Sequence, residues 1–532
     1  MQNFPSNLSD EQKLRFLSAN NQLKRKSSTE NGPQTDHKFR ALSQPRIIII
    51  GAGAAGLSCA QRLLDNEFTN IVILEAQDRI GGRIWSEQID SGHVEFGAQF
   101  LHGKNILYDV AEQNKLIKVI TPHKKKVIDP VTDHGSGGEF LFDMDIDAKA
   151  FPHLEQVFIE TYNTINEIVE QCKYDGPHTD DDKLSFGDLV KAKFCHFVST
   201  KHNETDDVKA YRMSIFGWLV RVHRADNACK SLSDLSCSEY AEYAGDLVNT
   251  QLSAPMKSIL DLCTARVPRK KIMLNKAVEQ INFNQENPHP VEVICKDGDV
   301  LLADHCIVTA SLGFLKKNAD TFFSPCLSDE KTDAIAQAGF GTCNKIFLRF
   351  DEAFWEDQYG KTDGFQLLYF DDCNENDADL AKLPWYRSIH GFDVCPTAPN
   401  TLVGWLGGSE QNRMMETLTD DEVADSCQQL LQKFLRKCTV PRPSKIIRAN
   451  WSHNPYILGS YSHAAKGQTE HIKAIAEPTW FYRSARGVLE KQIPGLLFAG
   501  EATHPTWFST VPGAMESGQR EADRIIVLYT KS

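Results

Sequence analysis

The sequence predicts an α/β protein whose main sheet is parallel and is assembled from segments that lie far apart in the chain. A continuous β-branched run, Ile47–Ile50, is followed by a glycine-rich turn, by a helix-compatible stretch at residues 57–64, and by a second apolar run, Ile71–Leu74. Another apolar run stands near the opposite end, at residues 495–499. Uninterrupted apolar runs are typical of parallel strands, because such strands are buried on both faces.

The size and charge of the chain narrow the possible classes of function. At 532 residues the chain is long enough for two domains of ordinary size. Its 58 Lys and Arg against 71 Asp and Glu give a net charge of −13, which disfavours general binding to nucleic acid or to anionic membranes and suits cationic substrates. No apolar run reaches the length of about 18 residues that a membrane-spanning helix needs.

The first 44 residues are polar, and we predict a flexible tail there. This segment has no apolar run typical of a secretory signal, which favours a cytoplasmic protein with reduced cysteines. A basic patch at Lys24, Arg25 and Lys26 leaves nuclear import open as an alternative. The 14 cysteines include no C-x-x-C pair, and no metal site is predicted.

The glycine-rich turn after the first strand predicts a dinucleotide-binding βαβ unit. Gly51, Gly53 and Gly56 form G-x-G-x-x-G between a strand and a helix, and Glu75 follows 19 residues later at the end of the second strand. In this motif the first glycine permits a tight turn, the second lets a pyrophosphate approach the backbone, and the third allows close packing of helix and strand. The acidic residue is expected to accept hydrogen bonds from a ribose.

A second glycine turn follows the acidic residue. Gly81 and Gly82 precede Arg83, whose planar guanidinium suits pyrophosphate oxygens. Taken alone, this stretch is also compatible with a tight turn that carries a surface arginine. Beyond it, residues 126–262 have the amphipathic pattern of helices, and strand patterns return at Val278–Phe283 and Val291–Cys295.

Several segments, spread over residues 45–530, share a resemblance to one family. They include Glu75–Arg83 and the stretches at residues 95–103, 308–316, 339–348, 451–462 and 500–504. In content and order these segments resemble the flavin amine oxidases, and within them the spermine and acetylpolyamine oxidase branch. The resemblance covers all of the chain except the tail.

This resemblance implies an FAD-dependent enzyme with a Rossmann-type FAD-binding domain and a discontinuous substrate-binding domain of α+β structure. The implied FAD-binding domain comprises residues 45–125, 265–320 and 481–532, and the implied substrate-binding domain comprises residues 126–264 and 321–480. Glu501 is implied at the ribityl chain, and Thr510 and Val511 near the flavin ring. The residues implied in cofactor binding are Gly51, Gly53, Ala54, Ala55, Gly56, Glu75, Ala76, Arg83, Gly97, Ala98, Val278, Glu501, Thr510 and Val511.

The same resemblance implies four residues on the substrate side. Lys345 matches a lysine that holds a water beside the hydride-accepting flavin nitrogen, and His102 matches a residue that faces the substrate amine. Trp451 and Tyr461 match aromatic walls around the flavin. Without the resemblance, a lone histidine such as His102 is more often structural, a lone lysine in a strand pattern such as Lys345 is more often at the surface, and both aromatic residues are compatible with the core. The implied reaction oxidises a small cationic amine with O2, followed by imine hydrolysis to an aldehyde, an amine and H2O2.

The chain departs from the family pattern at several positions. Ser460 stands where monoamine oxidases carry the cysteine that bonds the flavin, so non-covalent FAD is expected. Pro512 replaces the usual histidine of the last motif, and residues 253–255 replace a Gly-Gly pair. Arg221, His223 and Arg224 occupy the region where the polyamine oxidases place a glutamate facing the substrate, and we expect these cations to repel a polycation there.

Two other functions stay open at this point. The altered residues are compatible with an oxidase of another amine, such as a monoamine. They are also compatible with an inactive paralogue that keeps FAD and acts through a partner protein. The sequence predicts neither the amine, nor the C–N bond that is cut, nor the oligomeric state.

Overall fold

A computed structural model describes residues 44–89, 92–117, 139–143, 153–174, 185–241, 243, 249–284, 286–370, 383–485 and 488–530. The residues from Pro45 to Ser532 form one compact unit. The tail predicted for residues 1–44 lies outside the described residues, apart from Gln44. Because the contacts do not divide this unit further, the boundaries of the two domains stay a prediction.

Twenty-two strands lie in the described part of the chain. In chain order, β1 to β22 are Ile47–Ile50, Ile71–Leu74, Ser86–Ile89, Gly92–Glu95, Phe100–His102, Glu139–Phe142, Asn249–Gln251, Ile272–Met273, Val278–Phe283, Val291–Cys295, Val300–Ala303, His305–Val308, Phe323–Ser324, Phe340–Gly341, Cys343–Arg349, Gly364–Leu368, Ile389–Val394, Thr401–Gly407, Lys445–Arg448, Tyr461–Ser462, Thr479–Ala485 and Val488–Phe498.

Fourteen α-helices accompany these strands in the same described residues. In chain order, α1 to α14 are Ala54–Asp65, Ile106–Gln113, Leu154–Tyr174, Phe186–Ser199, Asp206–Asp226, Cys237–Ala241, Met256–Cys263, Leu312–Phe322, Asp329–Gln337, Glu356–Tyr359, Ser409–Thr417, Asp420–Phe434, Gln468–Ala476 and Val511–Thr530.

The first large sheet has the strand order β21-β22-β12-β1-β2-β8 and is parallel except for the β21–β22 pair. Its central strand, β1, is buried on both faces. Ile47 and Ile49 pack with helix α1, whereas Ile48 and Ile50 pack with the four-stranded sheet β11-β10-β9-β13. The α/β prediction, with a parallel sheet built from both ends of the chain, is therefore confirmed.

The second large sheet has the order β19-β15-β18-β17-β16-β6 and is antiparallel except for the β16–β6 pair. Strand β15 pairs with β18 so that Lys345 lies opposite Trp405. Helix α5 packs against this sheet, and two of its arginines are turned inward: Arg221 contacts strand β16, and Arg224 contacts Gln411 of helix α11.

The expectation of helices throughout residues 126–262 was wrong at two places. Glu139–Phe142 is an edge strand of the second sheet, and Asn249–Gln251 pairs with Phe100–His102. Both strands are three or four residues long, too short for their periodicity to separate a strand from a helical turn. Helix α1 also begins at Ala54, three residues before the predicted start at residue 57, because Gly53 is its N-cap.

Candidate active site

A cavity of about 410 Å³ lies at the carboxyl ends of the parallel strands. Gly51, Glu75 and Thr309 each follow directly on a strand of the first sheet, and Gly500 lies two residues past another. All four line the cavity. Open α/β sheets bind their ligands in this crevice outside the carboxyl ends of the strands.

Four glycines line one end of the cavity, and we call them the cradle. They are Gly51 and Gly53 of the glycine-rich turn, together with Gly82 and Gly500. A Cβ atom built on Gly53 or on Gly500 would meet no other atom within 4 Å, so both backbones face open space. Helix α1 begins beside Gly53 without a side-chain cap. The first-turn N–H groups of an uncapped helix are available to an anionic ligand.

Gly56 has a different position from the other glycines of the motif. It does not line the cavity. A Cβ atom there would lie 2.0 Å from the carbonyl oxygen of Gly51. Gly56 therefore allows the helix to pack closely against the strand, which is the role expected of the third glycine of the motif. Its expected direct contact with the ligand stays a prediction.

Glu75 is buried and tied to the glycine turn. Its Oε2 accepts a 2.7 Å hydrogen bond from the Ala52 N–H, and its Oε1 accepts one of 2.9 Å from the Gln77 N–H. Burial raises the pKa of Glu75, and the two backbone hydrogen bonds act against that rise. A carboxylate has about four acceptor positions, so Glu75 can also accept from a ribose hydroxyl.

Arg83 and Glu501 join the two ends of the chain across the cavity. The guanidinium of Arg83 donates to Glu501 Oε1 at 2.7 Å and to the Ser460 carbonyl at 2.9 Å. Glu501 Oε2 also accepts from the Ser509 N–H at 2.8 Å and from the Ser462 hydroxyl. This network connects Glu501, which follows strand β22, with Arg83 and with strand β20 in the cavity wall.

Lys345 lies in the middle of the cavity wall and is 5% exposed. Its Nζ donates to the carbonyl oxygens of Glu95 and Gly97 at 2.7 and 2.8 Å, and to Gln99 Oε1 at 2.7 Å. Burial lowers the pKa of Lys345, because the charged ammonium loses its hydration. Three acceptors around one buried amine fix the direction of its hydrogens.

Aromatic side chains form the other end of the cavity, together with two acidic residues. Trp405 is nearest to Lys345, whose Nζ lies 4.8 Å from the indole centroid. Trp451 donates from Nε1 to the Phe96 carbonyl at 3.3 Å, and the Tyr461 hydroxyl donates to the Ala225 carbonyl at 2.7 Å. We define this aromatic end by its lining residues Phe100, Asp226, Tyr240, Tyr243, Asp393, Trp405 and Tyr461.

The repulsion expected from the arginines of helix α5 is not supported by their positions. Arg221 donates to the Leu367 carbonyl at 3.3 Å, Arg224 contacts Gln411, and neither lines the cavity. The residues of this region that do line it are His223, Asp226 and Asn227. They share a face because positions three and four apart coincide on a helix.

The cavity thus brings together the predicted site residues with the single exception of Gly56. His102, Lys345, Trp451 and Tyr461 line it, as do Ala54, Ala55, Ala76, Gly97, Ala98, Val278, Thr510 and Val511. Sequence reasoning missed Asp226, Asp393 and Trp405. Two signals were present: the spacing of His223, Asp226 and Asn227 on one helix, and a carboxylate inside the apolar strand Ile389–Val394.

The family model described as "Flavin containing amine oxidoreductase" matches residues 54–526. The chain belongs to this family. It is therefore an FAD-dependent oxidoreductase that acts on CH–NH bonds, with an amine as substrate and O2 as acceptor.

Relatives and solved structures of the amine oxidoreductase family match most of the chain. The bovine (Bos taurus) and human (Homo sapiens) peroxisomal N(1)-acetyl-spermine/spermidine oxidases are 31% and 32% identical, and each match covers 91% of this chain and 95% of the relative. The structures of putrescine oxidase bound to putrescine and of cyclohexylamine oxidase from Brevibacterium oxydans IH-35A superpose with TM-scores of 0.62 and 0.61. Both are 18% identical and cover 91% of this chain and 99% of the other, so they show the shared fold.

The cavity of this amine oxidoreductase fits an FAD molecule at its cradle. Gly53 and Gly500 leave space where a side chain would block a pyrophosphate, and the uncapped start of helix α1 faces it. Glu75 retains acceptor capacity for a ribose. No helix in the described ranges has both the length and the apolar character that crossing a membrane requires.

Proposed function

We propose that this enzyme oxidises a polyamine, either spermine or an N-acetylpolyamine, using O2, and that water hydrolyses the imine to an aldehyde and an amine while H2O2 is released. One observation carries this proposal: a single cavity joins the glycine cradle to an aromatic end that contains two carboxylates. Cation–π attraction and carboxylates both favour cationic amines. The bovine and human relatives, which are named as acetyl-spermine/spermidine oxidases, support the same substrate class.

The aromatic end has two effects on an amine that enters it. Aromatic faces attract the ammonium, and the low hydration of the site then favours loss of its proton. The neutral amine is the reactive form, because a protonated nitrogen has no lone pair to assist loss of hydride from the adjacent carbon. Bound FAD supplies the acceptor for that hydride.

Lys345 positions hydrogen-bonding groups beside the reacting centre. Its Nζ is held by Glu95, Gly97 and Gln99, which belong to one segment that runs from the last residue of strand β4. Its lowered pKa, caused by burial, eases the release of a proton from Nζ compared with a lysine in water. We propose that Lys345 turns one Nζ hydrogen from the Gln99 side chain to a water molecule in the cavity, and that His102 contacts the substrate amine.

The FAD is proposed to be bound without a covalent link. Ser460 occupies the cavity wall, where its Oγ donates to the Cys343 carbonyl at 2.7 Å and accepts from the Cys343 N–H at 3.0 Å. Cys343 is the cysteine among the described lining residues, and burial raises the pKa of its thiol to about 12. A thiol that stays protonated is a poor nucleophile. Flavin released into the supernatant by acid denaturation would support this, and flavin retained on the precipitate would contradict it.

The proposed function is tested by anaerobic flavin bleaching. The purified enzyme is mixed with spermine, spermidine, their N-acetylated forms and simple monoamines, and the absorbance of oxidised flavin is followed. Rapid bleaching by a polyamine supports the proposal. Rapid bleaching by monoamines alone supports the alternative of a monoamine oxidase, and a yellow protein that no amine bleaches supports the inactive paralogue.

The cytoplasmic location inferred from the sequence stays a prediction, because the bovine and human relatives are named as peroxisomal. Imaging of the full chain together with a peroxisomal marker distinguishes a cytoplasmic from a peroxisomal location. A diffuse signal would support the cytoplasm, and a punctate signal coincident with the marker would contradict it.

A further inference from the structure

A carboxylate, Asp393, stands in the wall of the aromatic end. It belongs to strand β17, and its side chain lines the cavity although the residue is largely enclosed by the second sheet. Its Oδ2 accepts a 2.9 Å hydrogen bond from Trp405 Nε1, and its Oδ1 accepts one of 3.2 Å from Gln366 Nε2. Burial raises the pKa of Asp393 to about 7, because a charged carboxylate is poorly solvated there.

The strand is irregular at the point that turns Asp393 toward the cavity. Residues three apart on a regular strand point to opposite faces of the sheet. His390 and Asp393 nevertheless both line the cavity, and the pairing of β17 with β18 shifts register between Ile389 and Phe392. Irregularities of this kind re-aim side chains and occur near active sites.

No described residue provides a cation for Asp393. Its two hydrogen-bond donors, Trp405 and Gln366, are both neutral, and within the described ranges no Lys or Arg forms an ion pair with it. A buried carboxylate is stabilised in its charged form only by a nearby cation or by several hydrogen bonds. The arrangement therefore leaves a site for one positive charge in the cavity wall.

Asp393 and Lys345 both contact the indole ring of Trp405. Lys345 and Trp405 face each other in the register of strands β15 and β18; the lysine Nζ lies over the face of the Trp405 ring, and Asp393 accepts a hydrogen bond from the edge of the same ring. Phe100 stacks on the same indole, with 6.2 Å between ring centroids and 17° between planes. An amine that reacts beside Lys345 thus has Asp393 within reach of a short methylene chain.

We propose that Asp393 binds a second, cationic amine of the substrate, several methylene groups away from the amine that is oxidised. Trp405 is a positioning residue in this arrangement: its N–H fixes the carboxylate, and its ring covers the methylene chain. This assignment deepens the proposed function, because it requires a substrate with at least two amines. It makes Asp393 a determinant of specificity for diamines and polyamines over monoamines.

The test compares Asp393→Asn with wild-type holoenzyme, using 1,8-diaminooctane and octylamine as a matched pair of competitive ligands. Asn keeps the size of the side chain and can still accept from Trp405, but it carries no charge. The inhibition constant of the diamine is expected to rise on the order of 10- to 100-fold, while that of the monoamine changes less than about twofold. Asp363→Asn removes the same charge at a nearby exposed residue outside the cavity, and because that charge acts only weakly on Asp393, both constants should then change less than about twofold.

Two results for Asp393→Asn would overturn the assignment. One is an equal change in the inhibition constants of the two ligands, because a structural role affects both alike. The other is no change in either constant. If Asp393→Asn fails to retain flavin, Trp405→Phe decides instead. This variant keeps an aromatic ring but removes the N–H, and it should reduce the preference for the diamine at least severalfold; an unchanged preference would overturn the proposal. Bleaching of the wild type by spermine is measured in parallel, so that failure of the proposed function is recognised independently of these ligand constants.

Discussion

The cradle and the aromatic end of the cavity are built from different parts of the polypeptide. At the cradle, side chains are absent: Gly53 and Gly500 present bare backbone to open space, and helix α1 begins there without a cap. At the aromatic end, Trp405 and Tyr461 fill the wall with large rings, and Asp226 and Asp393 add carboxylates. The cradle suits an anion because its donors are backbone N–H groups, whereas the aromatic end suits a cation.

This difference has a consequence for mutation. A change at the cradle acts on the space or the hydrogen bonds available to the cofactor, and is expected to appear in FAD affinity. A change at the aromatic end acts on side-chain chemistry, and is expected to appear in amine binding or in the rate of flavin reduction. Lys345 lines the same cavity and contacts Trp405 of the aromatic end, so its substitution is expected to affect flavin reduction rather than FAD affinity.

The largest effect is expected for Lys345→Met. Met has a similar volume but cannot donate to the Glu95 and Gly97 carbonyls or to a water molecule, so flavin reduction by the amine should slow about 100-fold or more, which begins at the lower end of the range for loss of a catalytic proton-transfer group. Flavin content should be retained, because Lys345 is not part of the cradle. Anaerobic stopped-flow absorbance measures both quantities.

Lys316→Met provides the control for that variant. Burial also lowers the pKa of Lys316, to about 8, but this lysine bonds the Ala336 carbonyl and does not line the cavity. Its substitution should leave the reduction rate within about twofold. A Lys345→Met enzyme as fast as wild type would remove Lys345 from the mechanism.

The next largest effect is a contrast within the glycine motif. In Gly56→Ala the new Cβ would lie 2.0 Å from the Gly51 carbonyl, so helix and strand must separate, at a cost of about 1–3 kcal/mol in the free energy of unfolding. In Gly53→Ala the Cβ meets nothing within 4 Å, and the φ of −80° is ordinary for alanine. The stability of the apoprotein should then change by less than about 0.5 kcal/mol, while FAD affinity falls roughly tenfold or more, because the methyl group takes pyrophosphate space.

Urea unfolding of the two apoproteins and fluorescence titration with FAD measure this contrast. Gly53→Ala is the matched control for Gly56→Ala, since both make the same chemical change three residues apart. Equal destabilisation by the two substitutions would contradict the distinction between a packing glycine and an open one.

The same contrast explains how much the sequence could predict. Strands β1 and β2 and the cradle follow from local patterns, since G-x-G-x-x-G acts within about 30 residues. Asp393 and Trp405 come from neighbouring strands whose pairing and register shift are set by the whole sheet. The sequence places Arg221, His223 and Arg224 together near the substrate, but rotation around helix α5 is set by tertiary packing, and the helix turns only His223 of these three to the cavity, with Asp226 beside it. Local motifs thus reveal the cradle, whereas tertiary packing determines the aromatic end.

The smallest effect is expected for Glu75, where the cofactor is held by a side chain within the cradle region. Glu75→Ala removes the proposed ribose acceptor and leaves the Ala52 and Gln77 N–H groups without their partner. Loss of the ribose hydrogen bond costs about 0.5–1.5 kcal/mol, so the Kd for FAD should rise by roughly 2- to 12-fold. Glu75→Gln is the matched control: it retains one amide oxygen that can accept from the Ala52 N–H, and it should lose less affinity than Glu75→Ala. Fluorescence titration of the apoproteins with FAD measures both values. Undiminished FAD affinity in Glu75→Ala would contradict the ribose contact and would show that the backbone donors of the cradle hold the cofactor without it. Recognition by the backbone would then apply to the whole FAD site, and recognition by side chains to the aromatic end alone.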